Sequence, residues 1–329
     1  MQMRIFVGLL AISLFGAINS AFGGGVPLSS DTTAANRGIV NFNASGGNSL
    51  LDIDVEFAVY APGDYTGTDP SAGDEWVYAY QIFNDLGGTT DLTSLSIGKR
   101  VGAITANPVS DTSPLVGVGG GIAPSAVDAT GSAVSYSFIP DSLDPNEFSR
   151  VLLFTSPQSW GNSTSNVLNG GLTDQQDLPG PLAGDLNNNQ LVNCDDIDLM
   201  REAILNATSD PLFNVDGQGG DTPNEADFDF LVTDVLGTAR GDADLNFIIN
   251  FADFVALSNN FNLTNTGWKE GNFNLDNNTN FEDFVELANR FGQTFPLSPA
   301  VPEPTGALLL SLAPALFSKR LRRKLWVKV

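Results

Sequence analysis

One short pattern, present four times between residues 184 and 292, constrains the fold of this chain more than any other feature. Its copies run from Asp185 to Asp196, from Asn214 to Asp227, from Asp242 to Asp253 and from Asn272 to Asp283. They follow one another at a spacing of about 30 residues, which is typical of a repeated structural unit.

Asp or Asn occupies loop positions 1, 3, 5, 9 and 12 in three of the copies. In a tight loop around a cation, every second side chain points inward, and Ca²⁺ binds about 6–8 oxygens from carboxylates, amides, the position-7 backbone carbonyl and water. The pattern therefore predicts calcium-binding loops. The predicted ligands are Asp185, Asn187, Asn189, Leu191, Asn193, Asp196, Asn214, Asp216, Asp227, Asp242, Asp244, Asn246, Ile248, Asn250, Asp253, Asn272, Asn274, Asp276, Asn278, Asn280 and Asp283.

A helix with one apolar face is predicted directly after each loop. Apolar residues stand one, four and eight positions after the closing Asp, which is the stripe of a helix with 3.6 residues per turn. The closing Asp itself opens the helix, where a carboxylate caps free N–H groups. The four stripes are Ile197, Met200 and Ile204; Phe228, Leu231 and Val235; Phe254, Leu257 and Phe261; and Phe284, Leu287 and Phe291.

The units resemble those of the type I dockerin module, which combine an EF-hand calcium loop with only the second helix. The residues that carry the resemblance are Gly184, Asp185, Asn187, Asn189, Asn193 and Asp196, with their later counterparts. The resemblance implies an all-α domain of four calcium-loop–helix units, arranged as two dockerin-like pairs over residues 184–237 and 241–292. It also implies Ca²⁺ as the ion and a cohesin-like or other surface protein as the partner.

A simpler alternative is that the Asp and Asn residues form turns and helix caps and bind no metal. Position 6 holds Gln190, Phe247 and Asn277 in place of the glycine that accepts a positive φ most easily. The presence of four copies in phase, each with an amphipathic helix behind it, nevertheless favours metal binding.

The composition narrows the classes of function. The net charge of −23 argues against binding to nucleic acid by neutralisation of phosphates and is compatible with attraction of Ca²⁺. The chain has no His, which excludes Ser-His-Asp catalysis and the usual zinc sites. The single Cys194 is expected at an outward loop position between Asn193 and Asp195, where nearby acids keep its thiol unreactive.

Both ends of the sequence carry features of export. Residues 1–23 combine Arg4, an apolar stretch and small residues, which predicts a secretory signal peptide; a retained N-terminal anchor is the alternative. Residues 301–329 contain Pro302-Glu303-Pro304, a short apolar segment and a basic tail with Arg320. They resemble the PEP-CTERM sorting signal. The resemblance implies an exosortase-type peptidase and delivery to the bacterial cell surface or extracellular matrix, with transient insertion of this segment into the membrane.

Residues 24–165 alternate apolar and polar side chains between Gly- and Pro-rich turns, which predicts an antiparallel β-sandwich. The candidate strands are Ile53 to Val59, Trp76 to Phe83, Thr93 to Ile97, Val134 to Phe138 and Val151 to Thr155. Residues 166–183 are rich in Asn, Gly, Gln and Pro and are interpreted as a linker, with the last edge of the sandwich as an alternative for the start of this stretch.

Two groups in the predicted sandwich could carry chemistry. Asp52, Asp54 and Glu56 share one strand face and are either a glycosidase-like cluster or a solvated sheet face, which the sequence favours. Trp76, Tyr78 and Tyr80 either stack on a sugar or fill the core, and the core is again favoured.

These features together predict a mixed β and α protein, with an N-terminal antiparallel β-sandwich followed by an all-α dockerin-like domain. The predicted function is that of an exported, non-catalytic, calcium-binding surface protein that interacts with other proteins or assembles matrix. The alternative is a protein whose sandwich binds or degrades extracellular glycan.

Overall fold

The computed structural model describes residues 26–85, 87–111, 117–169 and 171–296. Its N-terminal half is built from ten strands in two antiparallel sheets, ordered β1-β2-β3-β8-β5 and β10-β9-β4-β7-β6. The strands are β1 (Asn36–Gly46), β2 (Ser49–Tyr60), β3 (Trp76–Asn84), β4 (Ser94–Gly98), β5 (Ala106–Asp111), β6 (Ala126–Asp128), β7 (Ala133–Ser137), β8 (Val151–Ser156), β9 (Trp160–Asn169) and β10 (Leu172–Pro181).

The two sheets pack face to face around one apolar core, and we call this part the sandwich. The core takes Ile53, Val55 and Phe154 from the first sheet and Ile97 and Tyr136 from the second. The strands predicted from alternation correspond to β2, β3, β4, β7 and β8. In the first half of β2 the alternation places Ile53 inside, while its polar neighbours Asp52 and Asp54 face outward.

A second, smaller core covers the outer face of the first sheet. The chain before β1 forms a 3₁₀ turn at Leu28–Ser30, and Leu28 packs with Tyr60, Tyr65 and Val77. This layer explains why the end of β2 is buried on both faces, since the sheet there has no solvent side.

The linker predicted at residues 166–183 is a strand pair in the structure. The strand β10 pairs with β9 from Leu172↔Asn169 to Pro181↔Trp160, and Leu178 lies in the sandwich core. The linker interpretation was wrong and its alternative, a last edge of the sandwich, is confirmed, because β10 is the edge strand of the second sheet. Most polar side chains of β10 lie at exposed positions, so that its composition is that of a loop.

The prediction of an all-α C-terminal domain is also wrong. The described chain is mostly β overall, and after the sandwich it contains four short helices: α1 (Cys194–Leu205), α2 (Glu225–Phe230), α3 (Phe251–Asn259) and α4 (Phe281–Arg290). A π-helical turn at Leu231–Val235 follows α2, and a small sheet pairs β11 (Leu263–Thr264) with β12 (Asn278–Thr279). In the third and fourth units the sequence overestimated the helix, because the apolar spacing continues past the residues at which α3 and α4 end.

The four units share one core, with Trp268 at its centre. This fully buried side chain packs against Phe228 of the second unit and Phe273 of the fourth, at ring centroid distances of 6.1 and 5.3 Å. Its indole N–H donates to the backbone oxygen of Asp242 at 2.7 Å, while its backbone N–H donates to Asp198 at 2.9 Å. Trp268 therefore joins all four units, although it belongs to no repeated position.

Most of the predicted helix stripes lie in this core. Ile197, Met200, Leu231, Leu257 and Leu287 are buried within it. The last members of the third and fourth stripes, Phe261 and Phe291, are exposed instead, because α3 and α4 end before them.

The predicted signal peptide, residues 1–23, and the predicted sorting signal, residues 301–329, lie outside the described residues. In the part of the chain that is described, every helix is too short or too polar to cross a membrane.

Replacing Trp268 by Phe should destabilise the C-terminal units by about 2–4 kcal/mol, because a cavity forms and the Asp242 carbonyl loses its donor. Urea unfolding followed by circular dichroism measures the change. The control is Trp76→Phe, at a partly buried position of the sandwich, which should cost less. Equal losses in the two variants would contradict the central role of Trp268.

Candidate metal centres

The closing Asp of each loop accepts hydrogen bonds from two parts of the backbone. Asp253 accepts from Ala243 N–H and Asn250 N–H, both at 2.8 Å. Asp196 and Asp283 bond in the same way to the residues at loop positions 2 and 9. One carboxylate thus connects the start of the loop to the start of its helix.

The Asn before each helix completes a capping box with the closing Asp. The side chains of Asn193, Asn224, Asn250 and Asn280 each accept from the second N–H of the helix that follows. The prediction that the closing Asp opens the helix was wrong, because the preceding Asn is the N-cap and the closing Asp is the third residue of the helix. Its carboxylate instead accepts from the backbone N–H of that Asn. Asn224 is the position-9 residue of the second loop, which the sequence comparison missed because two extra residues displace it.

The first Asp of loops 1 and 3 is buried and orients the turn. Asp185 accepts from the N–H groups of Asn189 and Gln190, at 3.0 and 2.8 Å. Asp242 accepts from those of Asn246 and Phe247, at 3.1 and 2.9 Å. Both carboxylates therefore hold positions 5 and 6 of their loops.

These bonds accompany a strained backbone. Position 6 has φ of 69° at Gln190 and 68° at Phe247, in the left-handed region that favours glycine. Such a conformation costs a non-glycine residue roughly 1–2 kcal/mol. The surrounding contacts of the loop must offset this cost.

Loop 3 brings three carboxylates together. One oxygen from each of Asp242, Asp244 and Asp253 lies within 4.8 Å of the others. Asp242 and Asp253 are buried, whereas Asp244 is exposed. The side chain of Asn246 lies beside these carboxylates and donates a hydrogen bond to Asp244 at 2.9 Å. This arrangement is able to bind a hard cation, because it offers several oxygens around one point.

Loop 4 has a buried oxygen that lacks a partner. The Asn272 side-chain nitrogen donates to the backbone oxygens of Thr266 and Asp276, both at 2.9 Å, which fixes the orientation of the amide. Its oxygen is then buried with no hydrogen bond. Asn274 and Asn280 each donate to the same Asp276 oxygen at 3.3 Å, so the side chains at positions 3, 5 and 9 converge.

Loop 2 differs from the other loops. Asp227 accepts from Asp216 N–H, the position-3 residue, at 3.3 Å, and from Asn224 N–H at 2.9 Å. The side-chain oxygen of Asn214 at position 1 is buried without a partner, as in loop 4. The two extra residues lie in the segment of Gly217, Gly219 and Gly220, which all have positive φ.

The residues at position 7 are predicted to bind the ion through their backbone carbonyls. Two of them, Leu191 and Ile248, have exposed side chains. The carbonyl of Ile248 accepts from the Asn250 side chain at 3.0 Å. Asn278 instead joins strand β12, and its N–H donates to Asp276.

Burial raises the pKa of four of the carboxyl groups in these loops. Desolvation is the largest cause for Asp196, Asp227, Asp242 and Asp283, and it outweighs the hydrogen bonds that lower their pKa values. A bound cation would act in the opposite direction, because it favours the charged carboxylate.

Two hydroxyl groups near the loops have no counterpart in the repeated pattern. Thr238 donates to Asp242, and Ser159 of the sandwich donates to Asp185, each at 2.6 Å. Thr238 lies four residues before its Asp, in the buried segment 238–240 between the two predicted pairs. No sequence signal points to Ser159, which is 26 residues away from Asp185.

The residues Asp52, Asp54 and Glu56 do not all lie on the solvated sheet face that the sequence favoured. Glu56 is buried, and its carboxylate accepts from Ser29 N–H of the turn before β1. Asp52 and Asp54 lie beside Asp85, which the sequence did not single out. Burial, followed by the charges of Asp54 and Asp52, raises the pKa of Asp85 to about 7.

The aromatic side chains considered for sugar stacking belong to the core. Tyr78 and Tyr80 are fully buried, and their hydroxyls donate to the backbone oxygens of Gln158 and Pro179. Trp76 packs partly buried against the same core. The surface platform that would have favoured glycan binding is therefore missing at these three residues.

The outward position expected for Cys194 was wrong. Its side chain is buried, with the sulfur 3.7 Å from the backbone oxygen of Ala243. Burial raises the pKa of its thiol to about 12, so that the side chain acts as a small apolar residue between the first and third units.

Comparisons with known proteins identify no family: no family model matches the chain, and no curated protein matches its sequence. Among solved structures, the chain is similar to an exo-β-N-acetylglucosaminidase of family GH20 from Vibrio harveyi in complex with N-acetylglucosamine. The identity is 10%, the TM-score is 0.22, and the match covers 38% of this chain and 17% of that enzyme. A similarity at this level identifies no shared function.

Replacing Gln190 by Gly should raise the free energy of unfolding by about 0.5–1 kcal/mol, because glycine adopts the left-handed conformation without strain. Chemical denaturation of the whole chain in a chelator measures the change. Gln190→Ala is the control, since alanine keeps the strain. An equal gain with alanine would show that the side chain, and not the backbone, causes the effect.

Stability should fall as the pH rises from about 4 to 7, in part because of Asp85. Its folded-state pKa of about 7 lies above its ordinary value of 3.8, so the folded protein holds a proton that the unfolded chain releases across this range. Asp85→Asn should be more stable than the unmodified protein at pH 8 and similar to it at pH 4. Denaturation across this pH range, with the exposed Asp141→Asn as control, measures the difference; an unchanged pH profile would refute the assignment.

Proposed function

We propose that the protein is an exported, non-catalytic, calcium-binding protein of the bacterial cell surface or extracellular matrix, and that it acts through contacts with other proteins. The observation that carries the proposal is the third loop, where Asp242, Asp244 and Asp253 present oxygens within 4.8 Å of one another. A bound cation would offset the repulsion among three like charges at this distance and the desolvation of the two that are buried. The oxygen-only ligand set favours Ca²⁺ over the softer transition metals.

The other loops support the same ion chemistry. In loop 4 the unpartnered oxygen of Asn272 would gain a cation as its partner, together with Asn274, Asp276, Asn280 and Asp283. Loop 1 repeats the backbone conformation of loop 3 at position 6. It would hold the ion with Asp185, Asn187, Asn189, Asn193 and Asp196.

The proposed role of the ion is structural. Each closing Asp connects its loop to its helix, so an ion bound to the loop would stabilise both. Ion binding that needs the folded loop contributes its binding free energy to folding. Calcium outside the cell would thus keep the repeats folded after export.

The proposed contact surface is the aromatic face of α3 and α4, which consists of Phe251, Val255, Phe281 and Val285. Phe251 and Phe281 occupy loop position 10 of the third and fourth units, and their side chains are 66% and 65% exposed. The partly buried Phe254 and Phe284 connect them, with ring centroids 6.2 Å apart. Exposed aromatic clusters of this kind are typical of protein interaction sites.

We expect the partner at this face to be a protein with an apolar pocket and a basic rim. The formal charge of −23 favours a basic partner and disfavours a second copy of this chain. The proposed partner is a cohesin-like protein or another surface protein whose apolar pocket can accept the two exposed Phe rings. Export would depend on the N-terminal leader and on the C-terminal segment, with its exosortase-type peptidase.

Calcium binding can be tested by isothermal titration of the whole chain with CaCl₂, combined with thermal unfolding in calcium and in a chelator. We expect saturable binding and a higher unfolding temperature in calcium. Asp244→Asn should weaken one site about tenfold, because the affinity of such loops follows the number of charged ligands. Its side chain is exposed, so the fold should be retained.

The matched control is Asp141→Asn, which removes an exposed carboxylate from the sandwich. It should leave both the affinity and the unfolding temperature unchanged. The proposal would be refuted if the unmodified chain neither bound calcium nor gained stability from it, since the loops would then serve only as turns and helix caps.

A further inference from the structure

The first loop receives a hydrogen bond from outside the repeats. Ser159 lies between β8 and β9 of the sandwich and is buried. Its hydroxyl donates to the Asp185 carboxylate at 2.6 Å, and its backbone oxygen accepts from Leu182 N–H at 2.8 Å. The sandwich thus contacts the carboxylate that opens the first loop.

The third loop contains the same bond from a local source. There the hydroxyl of Thr238 donates to the corresponding Asp242 oxygen, also at 2.6 Å. In both loops this oxygen also accepts from the N–H at position 6, while the other oxygen accepts from position 5. Ser159 and Thr238 therefore donate the same hydrogen bond to the first Asp of their loops. Ser159 belongs to the sandwich, whereas Thr238 lies only four residues before its Asp.

Neighbouring contacts hold Ser159 in place. Gln158 accepts from the Tyr78 hydroxyl at 2.9 Å through its backbone oxygen, and its side chain donates to Gly102 at 2.9 Å. Gly102 itself lies against the second unit, where an added Cβ would be 3.0 Å from the Val215 oxygen and 3.2 Å from the Phe230 ring. The turn that carries Ser159 is thus fixed against both the sandwich and the repeats.

We infer that the sandwich completes the first calcium loop through Ser159, so that ion binding at loop 1 and the packing of the sandwich on the repeats are thermodynamically coupled. The inference rests on the proposed calcium binding. A hydroxyl bonded to a metal-binding carboxylate restricts its orientation, and loss of such a partner typically weakens metal binding by about 10–100-fold. Coupling is reciprocal, so an ion at loop 1 also strengthens the contact with the sandwich.

Two matched variants of the whole chain test the inference. Ser159→Ala and Thr238→Ala each remove one hydroxyl from the first Asp of a loop, and calcium titration should show about tenfold weaker binding at one site in each variant. Only Ser159→Ala should also reduce the calcium-dependent rise in the unfolding temperature of the sandwich. Ser159→Thr, which restores a hydroxyl, should recover both properties.

The outcomes separate this inference from the proposed function. A lack of calcium binding by the unmodified chain would refute the proposed function and the inference together. If the unmodified chain binds calcium and Ser159→Ala keeps full affinity, the inference alone is wrong. It is also wrong if Ser159→Ala lowers the unfolding temperature equally in calcium and in chelator, since Ser159 would then stabilise the fold without acting on the ion site.

Discussion

The C-terminal half of this protein depends on the closing aspartate of each loop. One carboxylate accepts the N–H groups that begin the loop and the N–H of the Asn that caps the helix, as Asp253 does with Ala243 and Asn250. Because a charged acceptor forms stronger hydrogen bonds than a neutral one, this single group sets both the return of the loop and the start of the helix. Unit 2 retains the arrangement despite its two extra residues, through Asp227.

The same carboxylates impose an electrostatic cost. They are buried beside further acids, and burial raises the pKa of Asp242 and Asp283. A fold that collects like charges in its interior is stable when a cation or many N–H donors balance them. In the loops the backbone N–H groups balance part of the buried negative charge, and the proposed calcium would balance the remainder. The proposed calcium would likewise give the buried side-chain oxygen of Asn272 the partner that it lacks within the protein.

The repeats and the sandwich are joined by specific contacts rather than by a flexible connection. The strand β10 leads directly into the first loop, where Ser159 bonds to Asp185, and the four units pack around Trp268. The four units consequently share one core.

The sequence by itself determined the local features. The spacing of Asp and Asn identified the loops, and the apolar stripes located the helices that follow them. Period-two alternation located β2, β3, β4, β7 and β8. These features depend on neighbours within a few residues along the chain, which is why spacing reveals them.

Only the tertiary structure decided the features that depend on distant contacts. The linker-like composition of residues 166–183 concealed β10, whose partner β9 determines its conformation. Cys194 is buried by Ala243, and Glu56 by the chain around Ser29, neither of which is close in sequence. Ser159 reaches Asp185 because the sandwich and the first loop pack together. Contacts between residues that are distant in sequence produce no periodic pattern along the chain, so only the tertiary structure shows the roles of these residues.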